Sequence, residues 1–183
     1  MDIGVNPTNN KNFYISSFGY GVYEFRDDQF YKWHNVDNST IETILPNGAE
    51  KYYYMRMNGG NFDKAGNIWF SNSMTPSGIQ ILKSDGTWTK MSNQKISGLP
   101  TLSEILISNK KESQKWMLSK RVNTGVVVFD DSGTIDSSNV DKYTYLQSLS
   151  YIANNEVRSI APSIFQSIAQ DKNGAIWIGT NMG

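Results

Sequence analysis

Asp63-Lys64-Ala65-Gly66-Asn67-Ile68-Trp69-Phe70 and Asp171-Lys172-Asn173-Gly174-Ala175-Ile176-Trp177-Ile178 are two copies of one local design. Each joins a turn to a strand. The leading Asp can hydrogen-bond backbone two residues on, and the Gly in fourth place tolerates positive φ. That chemistry suits a type I turn closed by a left-handed glycine, a common short hairpin loop. Beyond the turn, Ile68 and Phe70 point to one face of a strand and Trp69 to the other; Ile176 and Ile178 flank Trp177 in the same way. A unit this specific, met twice in one chain, marks a repeat protein.

The aromatic of the post-turn strand recurs as Tyr14, Trp69, Trp116 and Trp177, at intervals of 55, 47 and 61 residues. The glycine opening the next strand recurs as Gly21, Gly78 and Gly125, at intervals of 57 and 47. Intervals of that size hold one four-stranded sheet and its loops, the size of a propeller blade. The expected fold is all-β: a β-propeller segment over 1–183 of about three four-stranded antiparallel blades, truncated at both ends. Blade I is expected over 12–33 and partial, without its innermost strand. Blade II is expected over 52–91, starting with an aromatic strand from Tyr52 to Phe62. Blade III is expected over 102–146, with a degenerate turn at Lys110–Gln114 that has neither the Asp nor the Gly. Blade IV is expected over 164–183, partial. Residues 34–50 read as loop with a short strand at 41–45, and 147–160 as either a short helix or an insert between blades.

Composition agrees. Aromatic residues make up 13% of the 183, Gly numbers 15 and Pro 5, a mixture suited to short strands joined by glycine turns. Seventeen basic residues balance 17 acidic ones, which argues against nucleic acid as a partner. Without cysteine there are no disulfides or thiolate metal sites. No stretch is apolar enough for a membrane span, so no membrane contact is expected of this segment.

The run Ser167–Gly183 resembles the two-component regulator propeller repeat at Asp171, Gly174, Ile176, Trp177, Gly179, Thr180 and Gly183. The copy at 63–70 departs from it after Phe70, where Ser71-Asn72 replaces Gly-Thr, and the third copy keeps only Trp116 and the later Gly. Phe13–Phe25 and Val128–Thr134 are also similar to the N-terminal propellers of PorZ-type proteins. The first resemblance implies the periplasmic sensor half of a hybrid histidine kinase from Bacteroidetes, reading a glycan. The second implies a cell-surface component of type IX secretion. Both imply a periplasmic or cell-surface protein of a Gram-negative bacterium with a protein or glycan ligand. The truncated blades, with unpaired edges and a bare face, are expected to pack on further blades or to self-associate.

Candidate chemistry is sparse, and each candidate has a plainer reading. His34 is the only histidine; no ligand spacing or nucleophile elbow accompanies it, so it is expected to be an ordinary surface or loop residue. Asp130, Asp131, Asp136 and Asp141 could offer calcium several oxygens, but hairpin loops carry Asp for turn chemistry alone. Asp63 and Asp171 could be paired catalytic carboxylates, yet each occupies the same turn of a different blade and is expected to form it. Trp69, Trp116 and Trp177 could stack on a ligand, but equivalent positions in successive blades more often fill the seams between them. Tyr52, Tyr53 and Tyr54 suit either a binding surface beside the propeller mouth or a strand buried on both faces. No acid–base constellation emerges. The expectation is a recognition module without catalysis, cofactor or metal, whose marked residues Asp63, Gly66, Trp69, Trp116, Asp171, Gly174, Trp177, Gly179 and Thr180 are structural.

Overall fold

The computed structural model describes residues 1–135 and 142–183. Three antiparallel four-stranded sheets follow one another, each a simple meander. The first holds β1 (Asp2–Val5), β2 (Phe13–Ser17), β3 (Gly21–Arg26) and β4 (Gln29–His34). The second holds β5 (Met57–Phe62), β6 (Ile68–Asn72), β7 (Ile79–Leu82) and β8 (Trp88–Met91). The third holds β9 (Leu106–Ile107), β10 (Gln114–Ser119), β11 (Gly125–Asp130) and β12 (Lys142–Leu146). A hairpin of β13 (Leu149–Ala153) and β14 (Glu156–Ile160) comes next, then a two-stranded sheet of β15 (Phe165–Gln170) and β16 (Ile176–Thr180).

The leading strands adjoin in order, β1 against β5, β5 against β9 and β9 against β15. The sheets therefore pack face to face around an axis, as propeller blades do. At the first junction two glycines allow backbone to meet backbone: a Cβ on Gly4 would fall 2.0 Å from the Gly60 carbonyl oxygen.

Alternation along each second strand supplies the cores. Ile68 and Phe70 join Val22, Met55 and Met57 in the seam between the first and second blades. Trp69, on the opposite face of the same strand, joins Met117, Val127 and Phe129 in the next seam. Trp116 and Leu118 in turn meet Phe165 and Ile168 in the third. β6 is thus buried on both faces, and full burial of each large side chain there contributes about 2–3 kcal/mol.

Several boundaries differ from expectation. The first blade begins at Asp2 rather than at 12 and has its innermost strand. That strand was obscured because it is four residues long and its apolar Ile3 and Val5 are exposed, leaving Gly4 to face β5. No strand forms at 41–45. Tyr52 to Phe62 is not one strand either: a 3-10 helix spans Gly48–Tyr52, Tyr54 and Arg56 turn left-handed at φ 56° and 47°, and β5 starts only at Met57. In the third blade Leu102 makes a lone bridge to Ser119, and β9 is two residues long. The insert at 147–160 is the β13–β14 hairpin, turning through Asn154 and Asn155 at φ 54° and 62°, a two-residue loop of the primed type.

Candidate functional site

In the organising turn, the Asp63 carbonyl accepts from Gly66 N at 3.0 Å, and Gly66 stands at φ 83°. Asp63 Oδ1 accepts from Asn67 N at 2.8 Å. Oδ2 accepts from Asn67 Nδ2 at 2.8 Å and from the Trp69 indole at 2.9 Å. The second copy has the same layout. Asp171 Oδ1 takes Asn173 N and Ala175 N, Oδ2 takes the Trp177 indole at 3.2 Å, and Gly174 stands at φ 91°. The Trp177 bond and the Ala175 N–H hold the Asp171 carboxyl below the usual carboxylate range. Neither aspartate keeps an oxygen free for general acid–base work, and the two occupy turns of separate sheets.

The bond from the indole to the turn carboxylate is not evident from turn rules alone. Its sequence signal is an Asp six residues before the Trp in both copies. The third copy places Lys110 at that distance from Trp116, and there the buried Trp116 Nε1 has no hydrogen-bond partner. Position in the sheet is nevertheless the same. Tyr14, Trp69 and Trp116 pair with Glu24, Ile81 and Val128, each three residues after Gly21, Gly78 or Gly125. Trp69 is fully buried, with Lys115 Nζ 4.2 Å from its ring centroid, whereas Trp177 is 66% exposed. The indoles occupy separate seams and share no surface for stacking a ligand. Gly179 faces Ser167, and Thr180 Oγ1 donates to the Gly183 carbonyl and closes the last turn.

The two described calcium candidates are engaged elsewhere. Asp130 binds Lys111 Nζ at 2.5 Å, and Asp131 forms a buried ion pair with Lys115. Asp136 and Asp141 lie outside the described residues, among which no group of three potential ligands occurs. Tyr52, Tyr53 and Tyr54 sit at the outer edge of the first blade. The Tyr52 hydroxyl donates to Asp37, Tyr53 packs edge-on against Tyr20, and Tyr54 is half exposed.

His34 is the principal correction: it is buried, 2% exposed, at the end of β4. Its Nδ1 accepts from the Trp88 indole at 3.1 Å, so Nε2 carries the proton toward Glu24 Oε2, 2.7 Å away. Glu24 is equally buried and also receives the Tyr14 hydroxyl at 3.1 Å and Arg26 Nε at 2.7 Å. Burial pushes the Glu24 carboxyl up. The bonds from His34 and Arg26, with the Arg26 charge, outweigh it and hold the group below its ordinary value. The Tyr14 hydroxyl is raised by burial and by the Glu24 charge. Alternation could have revealed this cluster: Glu24 occupies an inward position of β3 beside Val22, and a carboxylate there requires partners.

Where the leading strands meet, a cavity of about 680 Å³ opens along the axis. Asp2, Asn58, Asn61, Glu104, Lys120 and Gln170 line it, drawn from all four successive blades. Asn58 and Asn61 are fixed by donating to the Leu102 and Ile105 carbonyls, which joins the second blade to the third. The mouth is polar, with both signs of charge and hydrogen-bonding groups on several sides.

Residues 159–182 match the two component regulator propeller family. No curated protein matches the chain. Among solved structures, the chain overlays with a TM-score of 0.80 on PorZ, an essential surface component of the type-IX secretion system of Porphyromonas gingivalis. The identity is 21%, over 98% of this chain and 23% of that one. It overlays with a TM-score of 0.57 and 20% identity on the extracellular domain of BT3049, described as a hybrid two component system of B. thetaiotaomicron, covering 98% and 20%. The extracellular domain of BT4673, described as a one component system of the same bacterium, gives 0.54 and 14%, covering 98% and 21%. The chain spans about a quarter or less of the length of these structures. The fold is that of a β-propeller.

Proposed function

For a β-propeller segment that carries a two-component-regulator repeat, we propose recognition without catalysis in an extracytoplasmic protein, most like the PorZ surface component. The observation that carries this reading is the overlay of 98% of the chain on PorZ at a TM-score of 0.80. The axial mouth is the recognition surface, because it gathers polar side chains from every blade and a protein or glycan can be read there from several directions. The candidate acids support a non-catalytic role: Asp63, Asp171 and Glu24 each spend their oxygens on internal donors. The face of β16 around Trp177 is bare in this chain and is the surface on which a further blade would pack.

A second reading, a glycan sensor with a kinase elsewhere in the parent chain, draws on the repeat at 159–182 and the likeness to the BT3049 extracellular domain. Deletion of the parent gene separates the two. The first reading expects the tagged protein to be cut by protease on intact cells, and secreted cargo to be retained when it is lost. Normal secretion with loss of a glycan-induced transcript supports the sensor. A protein protected inside intact spheroplasts overturns both.

A further inference from the structure

A second cavity, of about 640 Å³, lies between the first and second blades, apart from the axial mouth. Tyr14, Phe62, Ile68 and Leu82 give it an apolar wall, and Tyr14 and Phe62 meet edge to face at 6.0 Å. Glu24, Arg26 and Lys32 give it a charged one. Both acids of the lining are spent. Glu24 holds Tyr14, Arg26 and His34, and Asp63 holds Asn67 and Trp69.

Arg26 and Lys32 are not spent in the same way. Arg26 is anchored through Nε to buried Glu24, and its guanidinium carbon lies 3.6 Å from the Tyr31 ring centroid. Its two terminal nitrogens make no hydrogen bond among the described residues. Lys32, one strand over, has no carboxylate partner among them. A guanidinium fixed from below and on its face, with its terminal edge open, is set up for bidentate pairing with a carboxylate. The volume suits a small molecule, and the wall beside it suits a ring.

We propose that this seam cavity binds a small ring-bearing carboxylate, its carboxylate on Arg26 and Lys32 and its ring against Tyr14, Phe62 and Leu82. The site is independent of recognition at the axial mouth and stands whichever parent activity holds. The ring can come from an aromatic acid or an acidic sugar, and the test distinguishes these sources.

His34, the only histidine, lines the same cavity, so its ring proton resonances report locally on binding. The 183-residue chain is titrated with benzoate, D-glucuronate, glucose and inorganic phosphate. A saturable His34 shift with benzoate assigns an aromatic acid, and one with glucuronate an acidic sugar; glucose and phosphate are expected to give none. Arg26→Gln should weaken binding on the order of tenfold or more, and Lys32→Gln less. No saturable shift with either carboxylate, an equal response to phosphate, or unchanged affinity in R26Q overturns the assignment. Should R26Q not fold, K32Q decides, since Lys32 holds nothing else in place, and unchanged affinity there overturns it too.

Discussion

The Asp63 carboxylate accepts the indole N–H of Trp69 at 2.9 Å, and Asp171 does the same for Trp177 at 3.2 Å. In each copy one side chain thus closes the turn and fixes the aromatic six residues later, which for Trp69 fills the seam with the next blade. The link from turn chemistry to blade packing is a single carboxylate. It accounts for an Asp in the motif better than turn propensity alone, which Asn or Ser would also satisfy.

Asp63→Ala should therefore cost about 2–3 kcal/mol, since it removes a charge-assisted bond and leaves the fully buried Trp69 without an acceptor. Asp171→Ala should cost clearly less, because Trp177 can turn to water. Denaturant midpoints of the two variants measure the difference. Equal losses would show that the turn alone matters.

Trp116 offers the converse case, a buried indole N–H without a partner. Trp116→Phe removes that unsatisfied donor along with some packing and is expected to be near neutral. Trp69→Phe loses a made bond and should cost about 1–3 kcal/mol. Thermal unfolding of both variants checks the order, and a larger loss at position 116 than at 69 would reverse the argument.

Gly66 stands at φ 83°, and the nearest atom to a Cβ there would be Ser84 Cβ at an ordinary 3.5 Å. Gly66→Ala should thus cost about 1 kcal/mol from backbone strain alone. Gly174→Ala adds a clash with the Lys110 side chain at 2.3 Å, which a flexible chain can relieve. The pair should lose similar stability in chemical denaturation. An unaffected Gly66→Ala would mean that the turn relaxes out of its left-handed state.

Asp130 carries a pH dependence. The hydrogen bond from Lys111, helped by the Ser132 N–H, holds its carboxyl down at about 2. The unfolded chain has the ordinary value of roughly 3.9. Because the folded value is the lower one, the contribution is complete above about pH 4 and is lost as pH falls toward about 2. Asp130→Asn should flatten the acid limb of a stability–pH curve in that window and leave its shape above pH 5 unchanged.

The features written in local chemistry were legible in the sequence, and those made by distant partners were not. Asp63, Gly66 and Trp69 act within seven residues of one another, so their turn and strand could be read directly. The Asp-Ile-Gly-Val of β1 pairs with β2 and packs on the second blade through Gly4 and Gly60, 56 positions apart, which no local pattern announces. Tyr52 to Tyr54 alternate like a strand, but Tyr54 and Arg56 at positive φ break the extended run before β5. His34 has no neighbouring motif, and its burial depends on Glu24 across the sheet and Trp88 in the next blade. A carboxylate at an inward strand position was the one local hint of it.

The second-strand aromatic of each blade is covered by the blade that follows, up to Trp177, which is bare. Hydrogen exchange at the indole N–H groups, followed by NMR on a chain with only five tryptophans, tests it most directly. The buried Trp69 indole should be strongly protected, and the exposed Trp177 indole should exchange far faster. A Trp177 indole as protected as that of Trp69, or a Trp69 indole exchanging freely, would contradict it.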